Sequence, residues 1–327
     1  MTQPETVNPA SNTNQHTDQS RIMSANDPSQ PATEPSPSST SSSTSAATSM
    51  STTPAILQLT AIGDDRFRVA NEGDPATYNV VFGGQLLAQM IMAATAATRG
   101  KSVKTIHAIF ARAGRIDATT ELQVESNHDG RAFATVTVTA WQGERLCARA
   151  LVLMHADEDD LIAHHTPRPE VPRAEVAGTV HVGGFAFPGA EYVVVGDVDL
   201  YTKDAPVGPA QLDVYYRSTA TPDDRAVNQA VLAWGTDGFL IATAMRPHAG
   251  INQELAHDSI STGVVSHTLS FHRPFSLRDW VLMVHESPFA GGGRSHGRCL
   301  IFDAGGDLVA SYVQDNMVRM MPAGKGM

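Results

Sequence analysis

Two polar residues interrupt apolar runs of this sequence and are the first candidates for chemistry. Asp237 lies in Trp234-Gly-Thr-Asp-Gly-Phe-Leu-Ile241, and Gln314 breaks Leu308-Val-Ala-Ser-Tyr-Val-Gln-Asp-Asn-Met317. A carboxyl in apolar surroundings needs a partner or a task, and when partly desolvated it can accept a proton near neutral pH. An amide both donates and accepts, which suits it to orienting a small polar molecule. Each residue also has a plainer reading as a satisfied core polar group. Gln85, directly after Gly83-Gly84, reads as a cap for the helix that begins there.

Other formal motifs fail on context. Gly293-Arg-Ser295-His-Gly297 matches the G-x-S-x-G nucleophile elbow, but that motif needs a strand, a strained turn and then a helix. Here a glycine run leads into the β-type segment Arg298-Cys-Leu-Ile-Phe302, so Ser295 reads as a loop serine in a hairpin. The chain has 13 histidines yet no H-E-x-x-H and no C-x-x-C, and no glycine fingerprint for a dinucleotide or a P-loop. His267 and His272, five apart on a predicted strand, point to opposite faces and cannot share a metal. No metal and no cofactor are expected.

The elements that must position these residues follow from periodicity. Val81 to Ala97 is rich in Ala, Met and Leu, free of Pro and apolar nearly all round, which predicts a buried helix. Strand-like segments follow at 104–110, 119–126, 134–140 and 146–154, joined by short turns. Residues 157–190 then carry acidic residues, prolines and glycines, as a linker would. The order recurs with strands at 191–200 and 212–218, a helix over 226–244, and strands at 264–271, 280–286, 297–302 and 308–317. A shift of 163 residues lays Gly130-Arg131 on Gly293-Arg294, Gly143 on Gly306 and Met154 on Met317, which points to an internal duplication.

Composition bounds the rest. The chain has 327 residues, 42% hydrophobic, enough for a substantial core. Residues 1–54 hold 38 of Ser, Thr, Pro, Asn or Gln and no aromatic, which predicts a disordered tail. A net charge of -11 and the absence of a Lys/Arg-rich run argue against nucleic acid and anionic membranes as partners. No apolar stretch is long enough to span a bilayer, and the N-terminus has neither the basic nor the apolar region of a signal peptide. Only Cys147 and Cys299 occur, both in apolar segments, which fits reduced thiols and a cytoplasmic location.

Val81-Phe-Gly-Gly-Gln85, His107-Ala-Ile-Phe-Ala-Arg112-Ala-Gly114, His267-Thr-Leu-Ser-Phe-His272-Arg-Pro-Phe275 and Val309-Ala-Ser-Tyr-Val-Gln314-Asp-Asn-Met-Val-Arg319 together resemble the acyl-CoA thioesterase II (TesB-like) family over about residues 56–321. The resemblance implies an α+β double hotdog, two repeats each with an antiparallel sheet wrapped around a long central helix. The repeats would span 55–156 and 191–321, with 157–190 between them and 322–327 a flexible end. It also implies hydrolysis of acyl-CoA to free acid and coenzyme A without metal, and a homo-oligomer. Family members use Asp, Thr or Ser, and Gln to hold and activate a water. Asp237 and Gln314 match the Asp and Gln, while Val264 stands at the Thr or Ser position. Strand alternation would place Thr262, Val264 and Ser266 on one face, so either hydroxyl could substitute, Ser266 being slightly preferred. Gly83 and Gly84 could present backbone donors to the oxyanion, Gln85 beside them joins the substrate-binding set, and Arg294 and Arg298 could attract the coenzyme A phosphates. A catalytically weak acyl-CoA- or lipid-binding protein is the alternative, motivated by Val264. A hydratase of the same fold is disfavoured because no His follows Asp223-Asp224 within reach.

Overall fold

Thirteen strands form one antiparallel sheet in a computed structural model that describes residues 53–73, 79–184, 186–202, 204–256 and 258–321. The predicted tail up to residue 52 and the end at 322–327 lie outside the described residues. The strands are β1 (Thr60–Gly63), β2 (Arg66–Val69), β3 (Ser102–Phe110), β4 (Thr120–Asp129), β5 (Phe133–Gln142), β6 (Arg145–His155), β7 (Val180–Val182), β8 (Glu191–Val194), β9 (Gln211–Arg217), β10 (Ile260–Phe271), β11 (Val281–Gly291), β12 (Arg294–Phe302) and β13 (Leu308–Met320). Their order is β1-β2-β4-β5-β6-β3-β10-β13-β12-β11-β9-β8-β7, so β3 and β10 join the two halves of the sheet. Local alternation explains most of these spans: β5 reads Phe-Ala-Thr-Val-Thr-Val-Thr-Ala, and its Ala and Val side chains are buried. The turns Gly143 and Gly306, which the 163-residue shift superposes, have φ of 58° and 95° and close the hairpins β5–β6 and β12–β13.

Helix α1 (Gly83–Ala97) buries ten of its fifteen residues, as its all-round apolar surface requires. It covers β3 to β6 and packs against α3 (Arg225–Gly235), while the short α4 (Leu240–Met245) covers β9 and β11 to β13. The continuous helix expected over 226–244 is therefore two helices. Its Gly235-Thr-Asp-Gly238 segment combines two weak helix formers with a threonine whose hydroxyl bonds back to the Ala233 carbonyl, 2.7 Å away, and the chain turns there. The segment 157–190 contains α2 (Ala174–Ala177) and β7, which pairs with β8 at the sheet edge. The strand expected over 191–200 stops at Val194.

Residues paired across antiparallel strands share a face, so register defines rows. One row runs Val124, Val138, Ala150, Ala108, His267, Gln314, Gly297 across seven strands. Five of its seven members are apolar or glycine and face the helices, so His267 and Gln314 are its two polar members. Cys147 and Cys299 are buried and free. No described helix is long and apolar enough to cross a membrane.

Candidate active site

Asp237 is positioned by the break between α3 and α4. Asp224 caps α3 by accepting the Val227 N–H at 2.9 Å, and the helix runs apolar to Gly235, where a β-carbon would meet the Tyr216 ring at 2.8 Å. Beyond that glycine, Asp237 meets the N-terminus of α1. A β-carbon on Gly83 would stand 2.8 Å from Asp237 Oδ2, and one on Gly84 would stand 2.3 Å from the Trp234 carbonyl oxygen. Only glycine lets the start of α1 approach so closely, and the Gly84 N–H donates to the Asp237 carboxylate. That bond and the positive end of α1 favour ionisation, but burial outweighs them and raises the Asp237 pKa to about 7. The residue as a whole is partly exposed, yet its Oδ1 is sealed from solvent and has no hydrogen-bond partner.

Gln314 approaches the same break from β13. Its Nε2 lies 3.1 Å from the carbonyl oxygen of Thr236 and 2.7 Å from His267 Nδ1. His267 Nε2 is 3.1 Å from Thr236 Oγ1, and its ring stacks on Tyr312 with centroids 5.1 Å apart. Burial holds the His267 pKa down at about 3, so the imidazole is neutral. Gln314 Oε1, like Asp237 Oδ1, is buried without a partner. Two unmatched acceptors thus lie on residues that meet at one turn. Sequence reasoning missed His267 and Thr236. Their signal is register, since His267 pairs with Gln314, and no single strand displays that.

The hydroxyl expected on β10 is placed differently from the alternation argument. The ladder to β13 slips between Val264 and Ser266, so Val265 is an extra residue and the side-chain alternation reverses across it. Thr262 is buried on the helix-facing side with His267, Leu269 and Phe271. Ser266 points the other way, donating to Asp315 Oδ2 at 2.8 Å on the exposed side, away from Gln314. The bulge therefore corrects both the shared face and the preference for Ser266.

Three further expectations change. Gln85 does not cap α1, whose N-cap position is Phe82 with no side-chain cap. Its buried amide binds the Asn71 side chain and the Glu72 backbone, tying the chain before α1 to the helix. Ser295 is not a loop residue; it is buried within β12, and its hydroxyl lies 3.4 Å from Asn316 Nδ2. Arg294 and Arg298 alternate with the buried Ser295, Gly297 and Cys299 and so project from the opposite side of the sheet. Arg298 is held by Glu286 at 2.8 Å, and Arg294 donates to the Gly293 carbonyl at 2.9 Å. Neither is directed at Asp237.

A cavity of about 440 Å³ opens beside the turn, where Gly238 and Phe239 form one wall and Tyr192, Val194, Leu200 and Ala242 add apolar surface. Its size falls in the range of small-ligand pockets.

A single antiparallel sheet with α1, α3 and α4 on one face, and the one-turn α2 on the other, defines the class of protein. A protein of Alicyclobacillus acidocaldarius described as having a hot dog fold superposes with a TM-score of 0.65 at 16% identity, covering 82% of this chain and 98% of that one. The chain has this hotdog-type fold. Family models for the acyl-CoA thioesterase N-terminal and C-terminal domains match residues 73–155 and 163–318, and the chain belongs to that family. It is similar to acyl-CoA thioesterase 2 of Haemophilus influenzae, 27% identical over 278 residues, 81% of this chain and 96% of that one. The crystal structure of the acyl-CoA thioesterase II TesB2 from Mycobacterium marinum superposes with a TM-score of 0.66 at 26% identity, covering 83% of this chain and 97% of that one.

Proposed function

We propose that this chain hydrolyses acyl-CoA thioesters by a water held between Asp237 and Gln314. The observation that carries this reading is the pair of buried, unpartnered acceptors Asp237 Oδ1 and Gln314 Oε1 at the break between α3 and α4. Water oxygen attacks the thioester carbon as Asp237, poised near neutrality by burial, takes one of its protons. The tetrahedral intermediate collapses with cleavage of the carbon–sulfur bond, releasing a carboxylic acid and the coenzyme A thiolate, which is a good leaving group. The Gly84 N–H holds the carboxylate in place, so it serves the base and not the oxyanion. The acyl group would occupy the cavity beside Gly238 and Phe239.

The fold supports the double hotdog as the architecture for this site. Read outwards from the β3–β10 junction, the strand order of one half mirrors that of the other, as two repeats spanning 55–156 and 191–321 would produce. The segment 157–190 joins them, and a homo-oligomer remains the expected assembly. The second reading, a weakly catalytic acyl-CoA-binding protein, draws on Val264 and on the outward direction of Ser266. Thiol release from short, medium and long acyl-CoA, with wild type beside Asp237→Asn and Gln314→Ala, separates the two. Turnover lost in both variants is expected, whereas saturable binding without turnover in the wild type would overturn the hydrolytic reading.

A further inference from the structure

The hydrogen-bond directions around Gln314 are determined by two backbone carbonyls. The Thr236 carbonyl can only accept, so the Gln314 atom 3.1 Å from it is the amide nitrogen. That nitrogen also stands 2.7 Å from His267 Nδ1, which must therefore accept and carry no proton. The imidazole proton is then on Nε2 and points at Thr236 Oγ1, 3.1 Å away. That hydroxyl can receive it because its own hydrogen goes to the Ala233 carbonyl at 2.7 Å. Both amide hydrogens of Gln314 are thus engaged, and Oε1 alone is left for the site. Turning the amide over would set Oε1 against the Thr236 carbonyl, an acceptor–acceptor contact in a sealed environment that no tautomer of His267 relieves. Stacking on Tyr312, with the rings inclined by only 14°, restrains rotation of the imidazole itself.

We infer that His267 is a positioning residue for thioester hydrolysis: as the neutral Nε2–H tautomer it locks the Gln314 amide so that Oε1 receives a hydrogen of the attacking water. The inference rests on the reading that Asp237 and Gln314 hold that water. It gives Gln314 one defined role, that of acceptor, and leaves it no hydrogen for the oxyanion. Burial keeps His267 neutral well below physiological pH, so the lock persists throughout the working range of Asp237. The two residues lie on adjacent strands in direct register, which makes the contact a property of the ladder between β10 and β13.

Four variants test this with an acyl-CoA that the wild type turns over: His267→Leu, His267→Asn, Gln314→Ala and the double variant His267→Leu/Gln314→Ala. His267→Leu removes the acceptor and should lower kcat roughly tenfold, the kinetic equivalent of one hydrogen bond, with KM unchanged. His267→Asn, whose Oδ1 can stand in for Nδ1, should recover most of the rate, and the double variant should be no slower than Gln314→Ala. Wild-type kcat in His267→Leu while Gln314→Ala is impaired would overturn the role of His267 and leave the hydrolytic site standing. Wild-type kcat in Gln314→Ala would overturn the site itself. Equal losses in His267→Leu and His267→Asn, with both melting like the wild type, would overturn the acceptor role. If His267→Leu does not fold, imidazole nitrogen NMR on the wild-type protein decides: an unprotonated Nδ1 supports the lock, and a proton on Nδ1 refutes it.

Discussion

Asp237→Asn should abolish hydrolysis and at the same time stabilise the fold in alkaline solution relative to the wild type. The carboxyl has a pKa of about 7 in the folded protein against an ordinary value of 3.8. At pH values between these two, the folded state holds a proton that the unfolded chain has lost, so this carboxyl's contribution to stability falls as pH rises through the window. The difference between these two values corresponds to about 4 kcal/mol, fully developed above pH 7 and absent below about pH 4. Asparagine does not titrate, so the stability of Asp237→Asn minus that of the wild type should grow by about that amount across the window. At roughly 2–4 °C per kcal/mol, the gap in melting temperature should widen by on the order of 10 °C. Paired thermal melts in one buffer series measure it directly, and the other titrating groups cancel in the difference. The same ionisation should give wild-type kcat/KM an acid limb with a midpoint near 7, because the base must be unprotonated. A stability difference that stays constant from pH 4 to pH 8 would refute the reasoning, since the carboxyl would then titrate as a solvated one does.

Gly84→Ala would bring a β-carbon to 2.3 Å from the immobile Trp234 carbonyl, and it should lower the melting temperature and the rate together. Gly297→Ala meets only the flexible end of Leu240, at 2.6 Å, and should cost less in the same melts. Ser266→Ala should leave kcat within about twofold of wild type, because the hydroxyl serves an exposed hydrogen bond to Asp315. Arg298→Ala should not raise KM for acyl-CoA, since Arg298 is already paired with Glu286 on the far side of the sheet. Urea midpoints of Asp237→Asn, in which the opposing titration of that carboxyl is gone, should fall as pH drops below the ordinary histidine value of 6.5. His267 and His285 stay neutral in the fold down to about 3 and about 4, whereas the unfolded chain binds their protons earlier.

Most of the strands were legible because their information is local. Alternating side chains in β5 and the glycine turns at 143 and 306 mark hairpins whatever the rest of the chain does. The all-round apolar surface of Gly83–Ala97 likewise demands burial. Asp237 and Gln314 stood out for the same reason, as polar groups in runs whose neighbours belong in a core. The interruption of the second helix was within reach too, through Gly235 and Gly238, but the surrounding Ala, Leu and Ile residues outweighed them in a periodicity argument.

What lay outside the sequence is the part that depends on partners distant along the chain. Ser266 and Thr262 differ by an even number of positions, yet a bulge opposite β13 puts them on opposite faces. A period-two pattern cannot contain that bulge, because it arises from how two strands align. Gln85 lies in the first turn of α1 but serves a segment fourteen residues back, and Arg298 neighbours a glycine loop but answers Glu286 across a ladder. The apolar and alternating pattern of the chain by itself determined the strands, the first helix and the two polar residues around which a site could form. The tertiary structure alone decided that Gly84 would grip Asp237, that His267 would face Gln314, and which hydroxyls would be turned away, because those contacts join positions 47 to 153 residues apart whose meeting is set by register and packing.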